Sequence, residues 1–508
     1  MPVDVAGRDA RARGTAKTAP VMKCKTAYLI INPRLGKKVN ALTAMIAVLS
    51  AAGWKTDTAI KEFGGHTRRL ARKAAEAGYD LVIGFGGDGT LNQVVNGVMA
   101  AKRRGCIVGV VPGGTANVWA HEIDMSEDPV KACLLLINSE GCKVDVGHVA
   151  VDSLPFPPGK KDRKTEERQG PRGRHHFLLM AGLGIDAAIM SQVPTSLKER
   201  IGKAAVALAA LKTLPSQHAF PIEIWSSEEG TEEAMRWKGE ALQVIVGNTR
   251  RYGNFAEATP DALIDDGALD VCIITAGAPL STIEQILSIL LNRNPRNGRS
   301  ERFQGSHFWI RAPASIDLQL DGSRVKLDDG VTAPEGTERR REKNPETVMV
   351  TYRFDALPRA LRVAIPCTYN GELFKNGTAK EIARLAKEQS SAQDGVGADA
   401  RPSEDLHQDR HQLDALLEHG RKVTVVGIAP NPERDTTYIV AGVISEKKTG
   451  ASKPIAVRIN HNTTLVGRTG EPLPITFAAR LLENTVIVVE GKQSKRGVVR
   501  AKRVVVVT

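Results

Sequence analysis

Aromatic side chains make up only 4% of the 508 residues, and none is interleaved with the basic runs. Surfaces that grip single-stranded nucleic acid combine cations with stacking aromatics. Nucleic acid is therefore a disfavoured partner for the chain as a whole. Cysteine is scarce as well: six residues, Cys24, Cys106, Cys133, Cys142, Cys272 and Cys367, with no Cys-x-x-Cys pair. Most fall in apolar patterns, which argues for buried free thiols in a reducing cytoplasm rather than zinc or disulfides. Long apolar runs are missing too. Stretches such as 204–211 fall far short of the roughly 20 residues a membrane helix needs. Residues 1–23 are basic, lack the apolar core of a signal peptide, and read as a disordered tail. Acidic residues are in deficit, 57 against 70 Lys and Arg, for a net charge of +13. The excess either draws the protein to an anionic membrane surface or coats solvated segments such as 159–174. The 42% apolar content over this length suffices for two or three domains.

What is present is a strand–turn–helix signal. The apolar run Tyr79–Ile83 reads as a buried parallel strand, and Gly84-Phe85-Gly86-Gly87-Asp88-Gly89-Thr90-Leu91-Asn92 follows it. Val94, Val95, Val98 and Met99 then repeat with helical spacing. Glycines let backbone N–H groups approach a phosphate, and the helix N-terminus adds positive potential. Asp88 would be out of place in a plain anion loop. It makes sense if a metal ion sits between it and the phosphates. Two similar loops flank this one. The strand Cys24–Ile31 ends in Asn32-Pro33-Arg34-Leu35-Gly36-Lys37-Lys38, and Cys106–Val111 ends in Pro112-Gly113-Gly114-Thr115-Ala116-Asn117. In an open parallel sheet, loops at the carboxyl ends of strands form the ligand crevice. All three are expected to converge on one nucleotide.

These segments, with Leu263–Val271 and Leu318–Gly322, resemble in order and spacing the diacylglycerol kinase-like lipid kinases, over about residues 24 to 370. That group contains bacterial diacylglycerol kinases and sphingosine kinases. The Gly86-Gly87-Asp88-Gly89 turn alone is also found in NAD kinases and phosphofructokinases. The resemblance implies an ATP- and Mg2+-dependent kinase phosphorylating a lipid hydroxyl at a membrane surface, and it leaves a homodimer open. It places nucleotide contacts at Asn32, Pro33, Gly36, Gly86, Gly87, Asp88, Gly89, Thr90, Leu91, Asn92, Gly114, Thr115 and Asn117. The catalytic magnesium falls to Asp88, and a second, structural magnesium to Leu263, Asp266 and Ala268. A plain Asp-Gly turn reads residues 266–267 equally well. The general base falls to Asp321, delivered by the strand 316–320.

One departure stands out. The family pattern is Asp-Gly-Glu, and this chain has Ser323 in place of the glutamate. A serine is no base at neutral pH without another base beside it. Asp321 then works alone, another carboxylate substitutes, or the enzyme is weak. Two further readings stand beside the lipid kinase. One is a soluble NAD kinase-like metabolite kinase, which leaves the 112–117 and 321–322 segments unexplained. The other is a weakly catalytic lipid- or nucleotide-responsive protein.

The fold expected is α/β with a β-rich second domain and a small antiparallel barrel. Residues 24–142 form a nucleotide-binding domain with a parallel sheet, completed by about 358–377. Helices are expected over 39–52 and 66–77, the latter closed by Gly78, with Ser126 capping a helix through Ile137. Residues 143–357 form the β-rich substrate domain, with helices near 196–214 and 280–291. There Phe177, Leu178, Leu183, Ile185 and Met190 either line an acyl groove or fill the core. A polar linker covers 378–419. Residues 420–508, with six β-branched runs including 473–477, read as a barrel of the oligonucleotide/oligosaccharide-binding type. Few contacts are expected across the linker, so the barrel should fold separately and be dispensable for chemistry. What the barrel binds is undetermined.

Overall fold

The computed structural model describes residues 26–103, 105–152, 175–184, 219–227, 234–253, 256–275, 300–325, 349–375, 406–431, 436–445 and 452–507. The expected tail, the helices near 196–214 and 280–291, Ile185 and Met190 lie outside these residues, as does most of the expected linker.

The first lobe alternates strand and helix. Its parallel strands are β1 (Thr26–Ile31), β2 (Lys55–Ile60), β3 (Leu81–Gly86) and β4 (Ile107–Pro112), ordered β2-β1-β3-β4. The central pair, β3 and β4, is buried along its whole length. That is why these strands read as continuous apolar runs instead of alternating ones. The helices are α1 (Leu42–Ala51), α2 (His66–Ala77), α3 (Asp88–Met99), α4 (Val118–Glu122) and α5 (Pro129–Ile137). A 3-10 turn over Pro33–Ala41 precedes α1, so the α-helix starts later than the apolar pattern suggests. Gly78 ends α2 at φ +85, as expected. The cap of α5 differs from expectation. Asp128 accepts from the N–H groups of Val130 and Lys131, with Pro129 in the first turn, while Ser126 only accepts from the Asp128 N–H. A carboxylate at the N-cap also meets the positive end of the helix dipole.

The second lobe continues the same sheet. Its strands are β5 (Ser139–Asp152), β6 (His175–Phe177), β7 (Met180–Gly184), β8 (Phe220–Ser227), β9 (Ala234–Gly247), β10 (Arg251–Tyr252), β11 (Ala256–Glu257), β12 (Leu269–Thr275), β13 (Ser300–Gly305), β14 (His307–Pro313), β15 (Leu318–Leu320), β16 (Ser323–Val325) and β17 (Met349–Pro366). β5 and β17 pair antiparallel along nearly their full lengths, with a register shift between Leu357 and Leu361. Beyond that shift, Arg362 and Val363 run parallel to Ile107 and Val108 of β4. One sheet therefore crosses both lobes and fixes their relation. Phe177 and Leu183 sit fully buried in the second core, and Leu178 in the first. These three are packing residues, not the lining of an acyl groove.

The third unit begins with α6 (Leu406–His419), a helix where a linker was expected. Then come β18 (Arg421–Pro430), β19 (Tyr438–Ser445), β20 (Ser452–Ile459), β21 (Thr464–Val466), β22 (Pro472–Leu473), β23 (Val486–Gln493) and β24 (Val498–Val506). β18, β19, β20, β24 and β23 close into a ring, with β20 and β24 parallel and the other pairs antiparallel. Most of the strand expected over 473–477 is instead a 3-10 helix, Ile475–Arg480.

The barrel is not an appendage. The outward residues Ile439, Ala441, Ala456 and Val498 are buried in the first lobe's core, while Val440, Ile455 and Val457 fill the barrel. The Arg458 guanidinium donates to the Ala51 carbonyl at the end of α1, and Lys131 pairs with Glu483 at 2.6 Å. The expectation of few contacts across the linker is thus corrected. The seam escaped sequence reading because its residues, Ala441 and Ala456 among them, alternate with the barrel interior along the same strands.

Candidate active site

The strand order reverses between β1 and β3, and three loops gather at the carboxyl ends of β1, β3 and β4. That is where an open sheet leaves a crevice. The loops bind each other. Asn32 caps its own turn by accepting from the Arg34 N–H, and its amide donates to the Thr90 hydroxyl at 3.3 Å. The Gly113 N–H donates to the Gly86 carbonyl. A Cβ on Gly114 would stand 2.5 Å from the Gly87 Cα, so only glycine permits this approach. Helix α3 starts after Gly87 with no side-chain cap. The Thr90 and Leu91 N–H groups bond the Gly87 carbonyl, and the start of the helix lies beside Gly86, Gly89 and the exposed Thr115. This suits a phosphate chain.

Several expected contacts have other work. Pro33 opens the turn after β1, and Leu91 is core. Asn117, in the left-handed region at φ +49, exchanges two hydrogen bonds with the backbone of Gly114 and so shapes its own loop. The Asn92 amide donates to the His176 carbonyl and to Asp321, each at 2.9 Å. It ties α3 to the second lobe.

The two carboxylates expected to be catalytic differ in what they have left to offer. Asp88 accepts from the N–H groups of Val118 and Trp119, at 3.0 and 3.2 Å. Burial raises its carboxyl above the ordinary range, and those bonds oppose the rise. A carboxylate has about four acceptor positions, so Asp88 keeps room for a cation. It fits the expected magnesium, held partly through water. Asp321 is 4% exposed. One of its oxygens accepts from the N–H of Leu179 and Met180, the other from Leu178 N–H and the Asn92 amide, all at 2.9–3.0 Å. Burial pushes its carboxyl up to about 6 against those donors. Every lone pair is engaged, so Asp321 has none for a substrate proton. The expectation of Asp321 as general base is corrected: it positions the hairpin between β15 and β16. Asp321 and Gly322 both have positive φ, at +47 and +75, and Leu320 pairs with Ser323. This is the two-residue Asp-Gly turn that joins antiparallel strands. The turn brings Ser323 to α3, where a Cβ on Gly89 would lie 3.0 Å from the serine hydroxyl.

The expected second metal loop is held by Asp145, which sequence reading missed. Its carboxylate accepts from the Gly267 and Arg359 N–H groups, both at 2.6 Å. Asp266 accepts from the Ala268 N–H and the Gln304 amide. Burial, then the neighbouring Asp266 and Asp265, raises Asp145; burial, then Asp266 and Asp261, brings Asp270 up to about 7. Leu263 lies in the same loop. Among the described residues no three His, Cys, Asp or Glu side chains gather as a metal cluster. The loop itself carries two carboxylates, Asp265 and Asp266, with Asp145 packed beside it.

Asn96 and His176 were missed as well. Asn96 accepts from the His176 N–H and donates to its carbonyl. Asn92 and Asn96 stand one turn apart on α3, and that spacing was the readable signal. Behind them, the buried His148 ring lies 5.3 Å from His176 and bonds Asp355, which His307 and Arg353 also contact. Burial opposes ionisation of Asp355, yet these partners hold its carboxyl well below the ordinary range.

Fold and site together fit a kinase: a glycine-lined crevice in a parallel sheet, faced by a hairpin from a β-rich second lobe. Residues 26–149 match the diacylglycerol kinase catalytic domain, and residues 180–332 match the YegS C-terminal NAD kinase beta sandwich-like domain. The chain belongs to the diacylglycerol kinase-like family. A diacylglycerol kinase of Bacillus subtilis (strain 168) is 29% identical over 302 residues, covering 59% of this chain and 89% of that protein. One from Staphylococcus epidermidis (strain ATCC 12228) is 28% identical over 299 residues, covering 58% and 84%. A crystal structure of a diacylglycerol kinase from Bacillus anthracis superposes with a TM-score of 0.46 at 19% identity, covering 69% of this chain and 99% of that one. The barrel lies beyond both matched domains.

Proposed function

We propose that this protein transfers the γ-phosphoryl group of ATP to a lipid hydroxyl, with diacylglycerol or a related lipid alcohol as acceptor. The observation that carries the reading is the convergence of three loops and the uncapped start of α3 on one crevice, with Ser323 of the second lobe brought against Gly89. The names of the relatives support the substrate class. Gly86 to Gly89 and Thr115 hold the phosphates, and the N-terminus of α3 stabilises charge on the transferring group. Magnesium, bound through Asp88, would neutralise the phosphates as charge moves between oxygens. Asp321 and Asn92 keep the hairpin fixed against α3, so the acceptor hydroxyl meets a preset geometry. The net charge of +13 favours the surface of an anionic membrane, where the acceptor resides. No helix among the described residues is long and apolar enough to cross one.

Ser323 favours a second reading, slow catalysis. It stands where the family pattern has a carboxylate, and Asp321 cannot replace that carboxylate because its lone pairs are engaged. The experiment incubates full-length protein with γ-labelled ATP, magnesium, and diacylglycerol, sphingosine or NAD, then separates the products. Label on a lipid supports the reading. Label on NAD alone overturns it.

A further inference from the structure

A cavity ringed by basic side chains lies far from the glycine loops. It has a volume of about 580 Å³ and opens between the end of α1, the start of β2 and the β23–β24 hairpin. Lys55, at its wall, is the first residue of β2 and pairs with Thr26 at the start of β1. The cavity thus sits at the amino ends of the parallel strands, and the crevice at their carboxyl ends. Its walls carry Lys55, Arg458, Lys492, Lys495, Arg496 and Arg500, and no Asp or Glu is among its lining residues. Like charges gathered around one space repel unless an anion joins them.

A second observation points the same way. Trp54, one of the residues lining this cavity, is 1% exposed, and its buried indole N–H has no hydrogen-bond partner. Ser50, another lining residue, has a buried hydroxyl without a partner. Buried donors normally find acceptors, and an oxyanion in the cavity would supply them. The hairpin is ordered for the task. Gly497 donates to the Ser494 carbonyl, and the Ser494 hydroxyl accepts from the Val498 N–H. Nucleic acid is disfavoured here. Barrels of this type bind oligonucleotides over their second and third strands, and here Ile439, Ala441 and Ala456 of those strands are buried against α1. The ligand is a compact, multiply charged anion.

We propose that this cavity binds a phosphate group bearing two or more negative charges, joined at once by first-lobe donors and barrel cations. Such a group comes either free in solution, as in pyrophosphate or a phosphorylated metabolite, or on the headgroup of a phosphate monoester lipid. The proposal does not rest on the kinase reading, because none of its residues belongs to the crevice.

The test titrates full-length protein with inorganic pyrophosphate by calorimetry at low salt. In parallel, it is sedimented with phosphatidylcholine vesicles with and without phosphatidate. Binding in the first arm identifies a free phosphate source, and binding only in the second a lipid source; either supports the site. The triple variant Lys492→Ala, Lys495→Ala, Arg496→Ala changes only exposed side chains. It is expected to weaken binding about tenfold or more by removing charge-assisted bonds. Trp54→Phe keeps the packing and removes the N–H, and is expected to weaken binding several-fold. Three results would overturn the proposal: neither probe binds, the triple variant binds as tightly as the original protein, or only a single-stranded oligonucleotide binds.

Discussion

At the scale of single residues, Asp321 and Ser323 decide the chemistry. Asp321 was expected as a base because it stands in the Asp-Gly of the family pattern, at the end of a strand. Its four N–H partners come from Asn92 and the 178–180 backbone, and sequence spacing cannot show that convergence. Its pH dependence follows from burial, which lifts the carboxyl from 3.8 to about 6. A raised folded-state value adds stability at low pH that fades as pH climbs from about 4 to 6. The ionised form, however, is the one that accepts four donors. Phosphoryl transfer is therefore expected to fall as pH drops below about 6, in a rate profile measured from pH 5 to 8. Asp321→Asn should remove that acid limb and lower stability by about 2 kcal/mol, by turning one acceptor into a donor that faces N–H groups. An unchanged limb in that variant would place the titrating group elsewhere. Ser323→Glu restores a carboxylate at α3, and is expected to raise turnover about tenfold or more as a general base would. A fall in rate at constant stability would mean the site is adapted to serine.

Among the elements, those with strong local signals were legible and those held by distant partners were not. The parallel strands, the glycine stop of α2 and the five ring strands of the barrel follow from periodicity and turn residues. The N-cap of α5 was misplaced by two residues because Ser126 and Asp128 are both good caps and only the backbone bonds choose. Helix α6 was hidden by its charge. It covers the barrel through only a few apolar contacts, among them Leu413 and Leu416 against Val488 and Val505. Asp145 shows how far a holding contact can lie in sequence: it joins β5 to the 266–267 turn and to the register shift of β17. Asp145→Ala leaves two N–H groups without their charged acceptor. Thermal or urea denaturation should show a loss of about 3 kcal/mol. A loss under about 1 kcal/mol would mean that solvent replaces the carboxylate and the turn is held otherwise.

For the whole molecule, one sheet runs through both kinase lobes and the barrel is packed onto the outer helices of the first. The convergence of the three loops on one crevice was readable from sequence because each carries glycine and polar residues after an apolar strand. The barrel seam was not, because Ala441 and Ala456 on the barrel and Ala47 and Ala51 on α1 carry no signal of a partner. Ala441→Glu places an unpaired carboxylate in that seam and is expected to destabilise the protein by about 3 kcal/mol or more. Deleting residues 376–508 should expose the same face and yield a less soluble kinase body, measured by its melting temperature and by light scattering. A truncated protein as stable and soluble as the full chain would show the seam to be dispensable.

The central claim is that the loops at the carboxyl ends of β1, β3 and β4 bind ATP and deliver its γ-phosphoryl group to a lipid. The most direct measurement is the rate of label transfer from γ-labelled ATP to diacylglycerol by the full-length protein and by Asp88→Asn, both checked for an unchanged melting temperature. The substituted amide keeps an acceptor for the start of α4 but removes the charge that fits magnesium. The expected result is measurable transfer by the original chain and a loss of at least about a hundredfold, near 3 kcal/mol of transition-state stabilisation, in the variant. Transfer at nearly the same rate in both would contradict the account.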